Sequence, residues 1–147
     1  MKKQKKSREV EVFDMIMSGL GKIIVKPFVR IFKPSAVKKI AQKEFQDEFK
    51  RLWGVFQLGD EAHFRQAITE ADNFLDKVLK SQNFSGKTLG ERLKLAGGKM
   101  AESAYQAAWN AHKVRNRIVH ESDFALLSFQ TKKTLNDFEK AIKELIK

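Results

Sequence analysis

The chain has 147 residues and no cysteine, which fits one domain with an appendage and excludes disulfides, thiolate zinc sites and cysteine chemistry. Prolines number two, and Val, Ile and Thr nowhere alternate with polar residues, so the composition favours helices over strands. The net charge of +11 favours a polyanionic partner, either nucleic acid or an anionic membrane surface.

Residues 1–33 are predicted to form a basic leader and an amphipathic helix that precede a helical domain over 34–147. Polar residues recur at every turn of residues 10–32, and the basic ones near the end of this stripe are Lys22, Lys26 and Arg30. Acidic residues in the same stripe argue against a signal peptide and a transmembrane span. Two interpretations remain: the helix packs on protein, or it lies on an anionic membrane with these three cations at the headgroups. The second would place a cytoplasmic protein on the inner face of the membrane.

The rest of the chain shows four stretches with apolar residues three and four positions apart, which is typical of helices with one buried face. Asp60 is predicted to cap the second helix. Thr88 and Glu91 are predicted to form a capping box that opens the third, with a bend at Gly97 and Gly98. The short connections predict an all-α fold, an up-and-down four-helix bundle. The predicted helices cover about residues 36–56, 61–79, 88–120 and 129–146.

The third predicted helix carries two apolar seams, each with alternating spacings of four and three. The first seam consists of Met100, Ala104, Ala107, Ala111, Val114 and Ile118. The second seam lies about 100° further round the helix. It consists of Ala101, Tyr105, Ala108, His112, Arg115 and Val119. One chain can bury both seams, or the second can face another copy in a homodimer, which would suit its polar members.

A short motif ends this helix: Arg115, Asn116, three further residues and His120. It resembles the signature of the HEPN superfamily, in which an Arg, often followed by Asn, precedes a His by four to six residues. The resemblance covers about residues 36–147. It implies a metal-independent endoribonuclease that acts as a dimer, often as a toxin or defence effector. It also allows a catalytically silent module that binds RNA or a protein partner such as a nucleotidyltransferase.

The residue types suit RNA cleavage, because RNA supplies its own nucleophile, the 2′-hydroxyl. His120 could act as base or acid, Arg115 could bind two phosphate oxygens, and Asn116 could orient His120 or bind phosphate. No metal or cofactor is called for. His112, Trp109 and Tyr105 are candidate supporting residues.

Structural interpretations of the same residues stay open. Arg115 could simply pair with an acid on another helix, and His120 could simply end its helix, where a cation is favourable. Arg117 and Glu121 are expected to form a surface ion pair. Arg115 and His120 are five residues apart, so on an unbroken helix they point about 140° apart. They converge on one phosphate if the helix ends before His120 or if two chains each contribute a set. A membrane-peripheral scaffold, in which the motif is structural, is a further alternative.

Overall fold

A computed structural model describes residues 40–147, and this part of the chain is helical with no strand. The all-α prediction is therefore confirmed there. Residues 1–39, which contain the predicted amphipathic helix with Lys22, Lys26 and Arg30, lie outside the described residues. No helix within 40–147 combines the length and the apolar character needed to cross a bilayer. The helices are α1 (Gln42–Gln57), α2 (Glu61–Ser81), α3 (Leu89–Ala96), α4 (Glu102–His120) and α5 (Ser128–Leu145).

Helix α2 is central, because it packs against α1, α4 and α5, and α4 also packs along α5. The predicted apolar faces form this core: Leu52, Ile68, Leu75, Phe138 and Ile142 are all fully buried. Burying each such side chain contributes about 1.5–3 kcal/mol, so packing between helices is the main source of stability. An up-and-down four-helix bundle of HEPN type stays a prediction.

The predicted N-caps of α2 and α3 are present. The Asp60 carboxylate accepts a hydrogen bond from the His63 backbone N–H at 3.0 Å. The Thr88 hydroxyl accepts from the Glu91 backbone N–H at 3.2 Å. The Glu91 carboxylate reaches back to the backbone N–H of Lys87, at 2.6 Å, so the reciprocal bond lies one residue earlier than a capping box places it.

The prediction of a single bent helix over residues 88–120 was wrong, because the helix is interrupted between α3 and α4. A 3₁₀ turn covers Gly97–Lys99, and Met100 is extended. A Cβ built at Gly97 would lie 3.0 Å from the Tyr105 ring, so the absence of a side chain there lets α3 fold back against α4. Two adjacent glycines also weaken a helix by about 1 kcal/mol each relative to Ala.

The predicted start of the first helix was also wrong. Ile40 and Ala41 lie before α1, and Ala41 is extended. The remaining predicted boundaries differ from those of α1, α2 and α5 by one or two residues, which is the usual scatter at helix ends.

Candidate functional site

The middle of the second seam is covered by α3 and the 3₁₀ turn that follows it. Tyr105 packs on Gly97, a Cβ at Gly90 would be in van der Waals contact with Trp109, and Ala108 is 0% exposed. Helix α3 has eight residues, and its first turn, at Gly90, lies beside the Trp109 ring. The apolar character of the seam's middle is thus explained by packing inside the chain.

Where α3 no longer covers α4, an open groove of about 490 Å³ lies between α2, α4 and the start of α3. We call it the cationic groove, because its described lining carries four Lys or Arg side chains and two carboxylates, a formal charge of +2 with His neutral. Its charged and polar lining residues are Asp72, Asn73, Asp76, Lys80, Lys87, Thr88, Arg92, His112, Arg115 and Asn116. Arg115, Asn116 and His112, three of the predicted site residues, thus lie together.

Asp72 of α2 anchors this group. Its side chain points into the protein and the residue is 4% exposed. One carboxylate oxygen accepts a hydrogen bond from Nδ1 of His112 at 2.7 Å. The other lies 3.4 Å from Nε of Arg115, which is an ion pair without hydrogen-bond geometry. That buried Nε has no hydrogen-bond partner among the described residues.

Asp72, His112, Asn116 and Arg115 contact one another in a closed circuit, here called the polar ring. Nη1 of Arg115 donates to Oδ1 of Asn116 at 3.3 Å. The amide nitrogen of Asn116 lies 3.2 Å from Nε2 of His112, whose Nδ1 faces Asp72. The three hydrogen bonds of the ring form together when His112 is neutral and carries its proton on Nδ1, with the Asn116 amide in this orientation. The ring thereby gives Nε2 of His112 the role of acceptor.

A second acidic residue, Asp76, lies one turn after Asp72 on α2. It accepts from Nη1 of Arg92 at 2.7 Å and pairs with Nζ of Lys80 at 2.6 Å. Arg92 is buried, so this contact ties α3 to α2 and fixes one wall of the groove.

His120 does not line the cationic groove. Helix α4 runs unbroken through His120, which is its last residue and is exposed. It lines a separate groove with Arg117 and residues 121–125, whereas Arg115 lines the cationic groove. The structure therefore does not bring Arg115 and His120 together within one chain, because the helix does not end before His120.

Tyr105 and Trp109 pack rather than line the groove. Their ring centroids are 6.3 Å apart in an edge-to-face arrangement, and the Trp109 ring meets His112 edge-on at 6.1 Å. Trp109 therefore supports the orientation of the His112 imidazole.

The predicted pair between Arg117 and Glu121 is confirmed, with Nη2 of Arg117 3.0 Å from the carboxylate. The Arg117 guanidinium also lies 4.0 Å above the ring of Phe124. From α2, Arg65 donates to the backbone carbonyls of Ile118 and Phe124. These contacts hold the loop after α4, and Arg117 takes no part in the polar ring.

Sequence reasoning missed Asp72, Asp76 and Arg92. A signal existed for Asp72: it stands four residues after Ile68 and three before Leu75, so it occupies a core position of the apolar face of α2. A charged residue at such a position predicts a buried polar partner. Residues 40–147 hold no group of three or more His, Asp and Glu side chains arranged to bind a metal ion.

The chain matches no family model, and no curated protein or solved structure is similar to it.

Proposed function

We propose that residues 34–147 form a HEPN-type domain that binds RNA in the cationic groove and cleaves it without a metal ion. The observation that carries this proposal is the grouping of Arg115, Asn116 and His112 with three further cations in one groove. A net positive, partly enclosed surface attracts the phosphate backbone of RNA. Arg115 has an exposed side-chain fraction of 29%, so its terminal nitrogens can reach a bound phosphate.

Cleavage needs a positive group beside the negatively charged phosphorane and proton transfer at two oxygens. Arg115 supplies the charge, because its guanidinium is always ionised and donates to two oxygens at once. His120 is the motif's proton-transfer group. Since Arg115 and His120 line different grooves of one chain, the proposal requires a homodimer in which the two meet from different copies.

The dimer contact is expected at the uncovered end of the second seam. Val119 is 54% exposed there, between Arg115 and the end of α4, whereas Ala108 is fully buried in its own chain. Val119→Asp should therefore lower the molecular mass in light scattering while leaving the fold intact. Ala108→Glu should unfold the domain instead, because it places a charge in the core. A wild-type chain that stays monomeric at tens of micromolar would contradict the dimer.

The decisive experiment is cleavage of single-stranded and structured RNA by the full chain in EDTA. We expect products that end in a 2′,3′-cyclic phosphate, since the 2′-hydroxyl is the nucleophile. Arg115→Ala and His120→Ala should each abolish most of the activity. Lys113→Ala, which removes a charge from an exposed position of α4, is the matched control and should retain it. Circular dichroism on every variant checks folding before rates are compared.

The polar ring favours a second candidate, a non-catalytic module that binds RNA or a protein partner such as a nucleotidyltransferase. In the ring, His112 bonds to Asp72 and Asn116 bonds to both His112 and Arg115, and such mutual hydrogen bonds would also be needed in a purely structural role. Wild-type protein that binds RNA in EDTA but leaves all substrates intact would favour this candidate. Loss of RNA binding in Lys80→Glu and Lys87→Glu would still locate the bound RNA in the cationic groove.

A further inference from the structure

We propose that His112, held by Asp72, is the base that removes the proton from the 2′-hydroxyl of bound RNA, which leaves His120 as the acid. This inference rests on the proposed function and assigns the two proton transfers to different histidines. His112, unlike His120, lies in the same groove as Arg115.

Asp72 prepares His112 for this role. Its carboxylate is almost fully buried and held on both oxygens, by His112 at 2.7 Å and by Arg115 at 3.4 Å, so it has little freedom to turn away. A carboxylate on Nδ1 keeps the proton on that nitrogen and leaves the lone pair on Nε2. The Trp109 ring lies edge-on to the imidazole and limits its rotation.

The lone pair on Nε2 is directed at the lining of the cationic groove. Its partner there is the side-chain amide nitrogen of Asn116, at 3.2 Å. The oxygen of the same amide accepts a hydrogen bond from Nη1 of Arg115 at 3.3 Å. Both distances are at the long end for hydrogen bonds, so the amide is held less firmly than the 2.7 Å contact holds His112 to Asp72. When the 2′-hydroxyl takes its place as the donor to Nε2, Asn116 and Arg115 become available to the neighbouring phosphate.

The proton of the 2′-hydroxyl moves to Nε2 of His112, and the 2′ oxygen forms a bond to phosphorus. The bond from phosphorus to the 5′ oxygen breaks, and that oxygen takes a proton from the imidazolium of His120. The product is a 2′,3′-cyclic phosphate and a free 5′-hydroxyl, and exchange with water returns both histidines to their starting protonation states.

The chain contains a matched control. His63 of α2 makes the same kind of contact, from its Nδ1 to the Asp60 carboxylate at 2.5 Å. That pair is much more exposed, and neither residue lines the cationic groove. A histidine paired with an aspartate but remote from Arg115 should contribute nothing to cleavage.

The test compares two substrates with the full chain. One is an RNA dinucleotide, whose 5′-alkoxide leaving group needs an acid. The other is a ribonucleoside 3′-(4-nitrophenyl phosphate), whose phenolate leaves without one. His112→Gln should slow both substrates by about 10²–10⁴-fold, the usual contribution of a proton-transfer group. His120→Ala should slow the dinucleotide but leave the nitrophenyl ester nearly unchanged. His63→Gln should match wild type on both.

Asp72→Asn tests the positioning role of Asp72 by a readout that packing alone would not move. Nitrogen-15 NMR should find the His112 proton on Nδ1 in wild type and a shift of the tautomer population towards Nε2 in the variant, together with slower cleavage of both substrates. Should that variant fail to fold, His112→Gln still decides the inference.

The outcomes separate the two proposals. If wild type cleaves the dinucleotide and His112→Gln cleaves the nitrophenyl ester at the wild-type rate, His112 is not the base, whereas the proposed function stands. A reversed pattern, in which the nitrophenyl ester needs His120 and not His112, overturns the assignment in the same way. If wild type cleaves neither substrate, the proposed function falls and this inference falls with it.

Discussion

Removing the Asp72 carboxylate should destabilise the domain by several times more than removing any exposed carboxylate. Asp72→Ala deletes a buried acceptor, which leaves Nδ1 of His112 without its hydrogen-bond partner and the Arg115 guanidinium without its ion-pair partner. His112 is only 12% exposed, so water cannot readily replace the lost acceptor. The change therefore leaves buried polar groups unsatisfied, which is one of the few mechanisms that give large effects.

The magnitude follows from these two contacts. An unsatisfied buried donor costs about 1–3 kcal/mol. The pair with Arg115 is partly solvated and lacks hydrogen-bond geometry, so it adds at most about 1 kcal/mol. The sum is about 1–4 kcal/mol, which at its upper end is a large fraction of the 5–15 kcal/mol by which a domain of this kind is typically stable.

A double-mutant cycle isolates the pair from the cavity that each truncation leaves. Urea unfolding, followed by far-UV circular dichroism, is measured for wild type, Asp72→Ala, His112→Ala and the double variant. The expected coupling is about 1–3 kcal/mol. The same cycle on Asp60 and His63, a similar contact on the surface, should give a much smaller coupling.

Additivity would refute this reasoning. If the two substitutions at 72 and 112 add to within about 0.5 kcal/mol, the 2.7 Å contact contributes nothing to folding. Asp72 would then be held in the core by its neighbours on α2, and the polar ring would be a consequence of packing.

Three further predictions concern other parts of the chain. Gly54→Ala should stabilise α1 by about 0.5–1 kcal/mol, because nothing lies near its new Cβ, whereas Gly86→Ala should destabilise by more than that. At Gly86 φ is +155° and the Cβ would lie 3.0 Å from the Glu91 side chain, and urea midpoints of the two variants compare them directly. Burial acts to raise the pKa of Glu70, but hydrogen bonds from Gln66 and Arg51 and the charge of Arg51 outweigh it and lower the pKa below 4.5. Its folded-state pKa thus lies below the unfolded value, so its stabilising contribution is full above pH 4.5 and disappears as pH falls through the lowered pKa. Glu70→Gln should therefore differ from wild type in urea midpoint at pH 6 and converge on it in acid, and a difference that stays constant would contradict this. Finally, the full chain should co-sediment with anionic vesicles at low salt and a 34–147 fragment should not, and recovery of both in the supernatant would favour a helix over 10–32 that packs on protein.

Helix positions were predictable because the core faces repeat every three or four residues. Phe45, Phe49 and Leu52 on α1 are buried as their spacing predicts, and Asp60 and Thr88 cap the helices that follow them. A bend at Gly97 and Gly98 was predictable from the two glycines, but the full break of the helix was not, because part of its cause is not local. The Tyr105 ring occupies the space where a Cβ of residue 97 would lie, and that contact depends on how α3 folds back on α4.

In the candidate site too, contacts set by local spacing were predictable and contacts set by packing between helices were not. Arg115, Asn116 and His112 could be placed together from their spacing on one helix, since they lie within one turn. Asp72 is 40 residues before His112 and shares no local pattern with it, so its role follows only from the packing of α2 against α4. The separation of Arg115 from His120 was predicted for an unbroken helix, and α4 is unbroken. The motif read as one unit in the sequence therefore belongs to two grooves in the folded chain. A single copy presents Arg115 with His112 and Asp72, and His120 can join them only from another copy. That division makes His112 the residue whose substitution best distinguishes a catalytic groove from a structural one.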